Sequence, residues 1–290
     1  MTVATLRDVL LPAIDGRYAV AGLVVLGWED AKAYVEAAEA LGCAVILQAG
    51  PGCRRHTPVP ILGRMFRHLA EQASVPVVCH IDHATTLDAC REGIDHGFSS
   101  IMIDGSMLPV ADNIALTRAA VALAAEAGVS VEGEIGVVGY DGGLASAATS
   151  AAEAALFERE TGVDALAISV GNVHLQTQET AVIDREALTA IEAVTRVPLV
   201  LHGGSGIPAA TRRILARESR VKKFNIGTEL RLAFGAALRR ALAEQPDEFD
   251  RLRILGATMP ASRDAAMAVM ANLDPTRVQT RTDTIDPHAS

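Results

Sequence analysis

Residues 75–83 read Val75-Pro-Val-Val-Cys-His-Ile-Asp-His83, a run of β-formers that ends in two imidazoles and a carboxylate, and a helix-like segment follows at 87–96. A strand that gathers polar chemistry at its end and passes directly into a helix is one βα unit. The unit recurs along the chain. Apolar strand-like runs lie at 18–26, 43–48, 76–81, 98–103, 129–135, 164–170, 197–201 and 221–226. Helix-like segments lie at 28–41, 62–73, 87–96, 111–127, 151–161, 185–195, 209–216 and 229–243, several opened by Asp, Ser or Thr and closed by Gly. A short helix around 5–14 precedes the first strand. Eight such units, with no charged or Ser/Pro-rich linker and no GxGxxG turn after the first strand, predict an α/β chain closed into a (β/α)8 barrel rather than an open doubly wound sheet. The expected organisation is one domain over 1–273 and a polar tail over 274–290.

Composition agrees with covered parallel strands. Of the 290 residues 50% are hydrophobic but only 3% aromatic, the apolar ones falling in short Val/Ile/Leu runs between Ala-rich segments. No apolar run has membrane-spanning length. A formal net charge of −9 argues against nucleic acid or an anionic membrane as the main partner, while leaving room for a local anion site. Cys43, Cys53, Cys79 and Cys90 form no CxxC pair, and MTVATLRDVL lacks a basic region followed by an apolar core, so a reduced, cytoplasmic protein is expected. The Gly-rich stretches 49–60 and 136–150 read as mobile loops over the barrel mouth.

In such barrels chemistry collects at the C-terminal strand ends. That rule selects Asp82 and His83 after the third strand, Asp104 after the fourth, Glu132 and Glu134 on the fifth, His174 after the sixth, His202 after the seventh and Asn225 on the eighth. A single strand-end histidine is usually a hydrogen-bonded structural residue. Three on one rim, His83, His174 and His202, are the donor set of a catalytic Zn2+ with an open position. His80 shares parity with Asp82 one step deeper and reads as a supporting group inside the barrel. Gly203-Gly-Ser-Gly206, taken with Asn225-Ile-Gly-Thr228, places backbone N–H groups and the Ser205 hydroxyl after the seventh and eighth strands, where barrels hold phosphate. By itself, such a Gly-rich turn is usually only a turn.

With HIDH at 80–83, FSSIMIDGS at 98–106, GVSVEGEIG at 128–136, TGVDALAISVGNVH at 161–174, PLVLHGGSG at 198–206 and KFNIGTEL at 223–230, the chain resembles the class II, metal-dependent fructose-bisphosphate and tagatose-bisphosphate aldolase family, in order and over most of its length. The resemblance implies reversible aldol cleavage of a phosphorylated ketose with a dihydroxyacetone-phosphate-type donor. Zn2+, or another divalent metal, would be held by His83, His174 and His202, and a monovalent cation is compatible with the site. It implies Asp82 as the proton-handling carboxylate, Asp104 and Glu134 as a second metal site or support, Asn225 as a substrate contact, and Gly203, Ser205 and Thr228 as the phosphate cradle. A homodimer or homotetramer is implied as well.

The substrate walls depart from the family pattern. Leu175 stands where the family usually has Gly, Gly139-Tyr-Asp-Gly-Gly143 replaces a GGxED-type loop, Gly22-Leu-Val-Val-Leu26 replaces AFNxxN, and Gly50 replaces a Ser or Thr. Asp141 is the candidate substitute for the missing loop acid, and Arg54 and Arg55 are candidates for a different anionic end of the substrate. Three alternatives stand beside this reading. One is an aldolase paralogue for another or a non-bisphosphorylated aldol. Another is a Schiff-base aldolase through Lys223, and the last is a non-catalytic sugar-phosphate-binding protein.

Overall fold

The computed structural model describes residues 2–140, 142–143 and 145–274. In chain order its elements are β1 (Val3–Ala4), α1 (Leu6–Gly16), β2 (Val20–Val24), α2 (Trp28–Leu41), β3 (Val45–Ala49), α3 (Pro51–His56), α4 (Val59–Gln72), β4 (Val77–Ala84), α5 (Leu87–Asp95), β5 (Ser100–Ile103) and α6 (Val110–Ala127). They continue with β6 (Ser130–Ile135), α7 (Ala151–Thr161), β7 (Ala165–Ile168), α8 (Arg185–Glu192), β8 (Leu199–Leu201), a 3₁₀ turn (Gly204–Gly206), α9 (Ala209–Glu218), β9 (Val221–Ile226), α10 (Thr228–Glu244), α11 (Arg251–Gly256) and α12 (Met259–Leu273). Each of β2 to β9 pairs in parallel with its sequence neighbour and β9 pairs with β2, which closes the expected eight-stranded (β/α)8 barrel in a single domain. β1 is an addition that pairs only with the foot of β4, Val3 opposite Val77.

Strand alternation sorts the side chains into two apolar groups. Leu23, Val45, Leu47, Cys79, Ile81, Ile101, Leu166, Ile168, Leu201, Phe224 and Ile226 face outward into the helical shell. Val20, Ile46, Val78, Ala165, Ala167 and Val200 face inward at the foot of the barrel, where Leu6, Val9, Leu10 and Ala13 of α1 pack against them. Those four helix positions follow the i, i+3, i+4, i+7 period, so α1 presents one apolar stripe to the barrel axis and stoppers its lower end. A capping box holds its start, with Thr5 accepting from Asp8 N–H and Asp8 from Thr5 N–H. The Leu6 amide also donates to Ser130 Oγ inside the barrel at 2.8 Å.

Some expectations need correction. The stretch 49–60 is largely helical, because Pro51 sits at the start of α3 and Pro60 near the start of α4, positions where a missing N–H costs a helix nothing. The helices also run past 243. In α12 the buried Ala266, Val269, Met270 and Leu273 keep the same helical period, and this helix packs on α2. Asp274 is buried at the end of α12 and donates its amide to Met270 O; the rest of the expected polar tail, 275–290, lies outside the described residues. Among the described residues no helix is long and apolar enough to cross a membrane.

The stopper gives a paired test. Leu10, fully buried at the barrel foot, should cost about 2–5 kcal/mol as Leu10→Ala, whereas its exposed neighbour as Leu11→Ala should stay within about 0.5 kcal/mol. Urea unfolding of both variants measures the difference.

Candidate metal centre

Above the apolar foot the inward positions turn polar: Gln48, His80, Ser100, Glu132, Glu134, His202, Lys223 and Asn225 are all buried. Satisfying them produces a chain of contacts along the axis. Lys223 Nζ donates to Glu132 Oε2 at 2.6 Å, and Glu132 Oε1 lies 3.0 Å from His202 Nε2. His80 pairs its Nδ1 with Ser100 Oγ at 2.8 Å and turns Nε2 toward Lys223 at 3.4 Å, so it is a supporting interior residue.

Asp82 and His83 are adjacent, and in a regular strand they would point to opposite faces. The β4–β5 register slips between Ile81 and Ala84, and His83 takes a left-handed backbone conformation at φ 52°. This bulge re-aims both side chains into one mouth. Arg54 secures the irregular segment: its guanidinium contacts the carbonyls of Ala49 and Asp82 and donates to His83 O at 3.0 Å. With three N–H groups committed to main chain, Arg54 is a strut of the strand ends. Arg55 does line the cleft.

His83, His174 and His202 converge, one ring nitrogen of each lying within 4.8 Å of the others. His83 Nε2 is 3.0 Å from His202 Nδ1, a distance at which one N–H donates to the lone pair of the other ring. On its other side His83 Nδ1 meets Asp104 Oδ2 at 2.7 Å, and Asp104 is itself fixed by Ser106 N–H and Oγ. Glu134 Oε2, 3.6 Å from His202 Nδ1 and 3.9 Å from His83 Nδ1, is a buried carboxylate oxygen without a hydrogen-bond partner among the described residues. His83, Asp104 and Glu134 thus form a second set that could hold an ion. This donor chemistry, three imidazoles with a spare buried carboxylate oxygen, fits a divalent metal.

The three rings differ in their electrostatics: burial lowers the His83 pKa, but Asp82, the hydrogen bond to Asp104 and Glu134 outweigh it and raise it to about 10. Burial, helped by the neighbouring His83, draws the His174 pKa down to about 4, which keeps the ring neutral. Burial pushes Glu134 up to about 8 despite His83 beside it. For Asp104 burial opposes ionisation, but the hydrogen bonds from His83 and Ser106 prevail and hold it below the usual carboxylate range.

A cleft of about 440 Å³ opens over the histidines, lined by Asp82, His83, His174, Gly203, Ser205, Asn225 and Thr228 among others. Asn225 Nδ2 donates to Asp82 Oδ1 at 3.2 Å. Ser205 Oγ accepts the amides of Gly227 and Glu229 at 3.3 Å, closing the start of α10 onto the 3₁₀ turn. Gly203 is obligatory there, because at φ 64° a Cβ would lie 2.1 Å from Val173 O on the segment that carries His174. Lys223, the Schiff-base alternative, is fully buried and ion-paired to Glu132 below the histidines. Asp141 lies outside the described residues.

Four residues of the site were not assigned from the sequence. Glu132 was noted by its strand position but given no task. Gln48 is fully buried with neither amide atom partnered among the described residues, and its register opposite His80 was the available signal. Arg231 lines the cleft one helical turn beyond Thr228, and Tyr140 stacks on His174 with ring centroids 4.8 Å apart.

The comparisons with known proteins agree with this geometry. A family described as fructose-bisphosphate aldolase class-II matches residues 4–276. The chain is 36% identical over 258 residues to the 6-phospho-5-dehydro-2-deoxy-D-gluconate aldolase of Bacillus licheniformis, covering 86% of this chain and 87% of that protein. It is 34% identical over 278 residues to the fructose-bisphosphate aldolase of Geobacillus stearothermophilus, covering 93% and 95%. Its structure resembles that of the YdjI aldolase of Escherichia coli K12, with a TM-score of 0.81 at 29% identity over 94% of this chain and 97% of that one.

Leu175, at the position where the sequence departs from the family glycine, has φ 60° and is 49% exposed. A leucine pays for that conformation with strain and recovers little by burial. Leu175→Gly should therefore leave stability unchanged or raise it by roughly 0.5–1 kcal/mol; a lowered denaturation midpoint would contradict this.

Proposed function

The chain belongs to the class II fructose-bisphosphate aldolase family, and from that membership we propose a zinc-dependent aldolase that reversibly cleaves a phosphorylated aldol with a dihydroxyacetone-phosphate-type donor. Aldolase activity, and with it a place among the carbon–carbon lyases, is what the family and the named relatives have in common. Those relatives are named for two different substrates, so the acceptor half of this chain's substrate is the open variable. The observation that carries the reading is the convergence of three imidazoles with Asp82 at the mouth of the barrel.

In this reading His83, His174 and His202 hold Zn2+, which when bound polarises the substrate carbonyl and stabilises the negative charge that develops on oxygen. Asp82 takes the proton from the carbinol oxygen as the carbon–carbon bond breaks and returns it on condensation. Asn225, hydrogen-bonded to Asp82, orients that carboxylate and contacts the substrate. Glu132 and Lys223 fix the ring angle of His202 from below, while Asp104 does the same for His83 and, with Glu134, offers an alternative position for the ion. Gly203, Ser205 and Thr228, which line the cleft at the start of α10, cradle the phosphate. Arg55 and Arg231 add positive charge to the same cleft, which favours a substrate with an anionic end. We include a cytoplasmic location, supported by the buried thiols of Cys53, Cys79 and Cys90, and a homo-oligomer, supported by the exposed apolar side chains of Phe249, Leu252 and Leu232.

The reading is tested by assaying retro-aldol turnover on phosphorylated aldols. Chelation should abolish it and Zn2+ restore it. Asp82→Ala should lower kcat by about 10²–10⁴-fold at unchanged metal content, while borohydride should trap no Schiff base on Lys223. Absence of turnover on every donor and aldehyde tried would favour a binding protein.

A further inference from the structure

Metal-binding histidines are normally held at the correct angle by a hydrogen bond to the ring nitrogen that faces away from the metal. Two of the three imidazoles here have that support: Asp104 for His83 and Glu132 for His202. His174 makes no side-chain hydrogen bond among the described residues. Its ring instead lies nearly parallel to that of Tyr140, at a centroid separation of 4.8 Å and an interplanar angle of 24°. The other two imidazoles meet it edge-on, at 65° and 66°.

The backbone around this stack is also tied. His174 N–H donates to Gly139 O at 2.8 Å, and Tyr140 forms a parallel bridge with His174. The loop that presents Tyr140 is folded on itself by the antiparallel bridge between Val137 and Ala147, by Gly139 N–H donating to Ser146 Oγ at 3.0 Å, and by Gly143 N–H donating to Tyr140 O at 2.9 Å. Tyr140 is therefore delivered to the imidazole by a braced loop, and its 44% exposure leaves part of the ring on the cleft wall.

We propose that Tyr140 is a positioning residue for the metal centre, its aromatic face orienting His174 in place of the missing hydrogen bond. The inference rests on the metal-centre reading above. Its consequence is that Tyr140, in the loop that differs from the family's GGxED type, sets the angle at which the third ligand meets the ion. Contact of Tyr140 with substrate alone would predict a different phenotype, a change in KM with metal affinity untouched.

The test measures metal binding rather than turnover. Zn2+ affinity of the metal-free protein is determined by competition with a chromophoric chelator, and the visible spectrum of the Co2+-loaded protein reports ligand geometry. Tyr140→Phe keeps the ring and should match wild type in both. Tyr140→Leu keeps bulk without an aromatic face, Tyr140→Ala keeps neither, and each should bind Zn2+ roughly three- to tenfold more weakly with an altered Co2+ spectrum. Wild-type affinity and spectrum in the Leu and Ala variants would overturn the proposal, as would a Phe variant as weak as they are. His174→Ala separates the two levels of the argument. If it retains wild-type Zn2+ affinity, the metal assignment falls and takes the proposal with it; if it binds far more weakly while the Leu and Ala variants bind normally, only the stack is refuted.

Discussion

A carboxylate stands on the axis of the barrel with no exposed surface, and the upper half of the molecule is arranged around making that tolerable. Glu132 is held between Lys223 Nζ at 2.6 Å and His202 Nε2 at 3.0 Å, three side chains on three strands. Removing one member of such a group leaves an uncompensated charge and costs about 3–5 kcal/mol, so the strands supplying them are locked in register. The same bonds dictate which way the His202 ring faces. With Nε2 committed downward, Nδ1 is the nitrogen left for the mouth, where it meets His83. Burial of charge in the middle of the barrel is thus converted into a defined donor atom at its rim.

Much of this was legible in the sequence because barrel geometry is periodic. Eight apolar runs fixed the strands, the strand-end rule gathered His83, His174 and His202, and parity put His80 inside with its neighbours. Aperiodic features were not legible. Adjacent Asp82 and His83 serve one cleft only because β4 bulges and His83 adopts a left-handed conformation, neither of which has a composition signal. Arg54 looked like an anion binder since two arginines in a loop advertise charge, whereas the folded chain spends that guanidinium on three carbonyls. Tyr140 and Arg231 depend on how a loop and a helix turn lie against the cleft, which no spacing encodes.

Departures from the family pattern line the walls of the cleft. Leu175 and Tyr140 flank His174 and both line the cleft, as does Gly50 on the opposite wall. None of these replaces one of the three histidines, Asp82, or Gly203 and Ser205. The histidines and Asp82 come from strand ends, while these departures lie mostly in the loops between them.

The stoppered foot gives the molecule a direction of traffic. With Leu6, Val9, Leu10 and Ala13 filling the lower end and buried polar side chains filling the axis above them, the cleft at the C-terminal strand ends is the face on which the barrel opens to solvent.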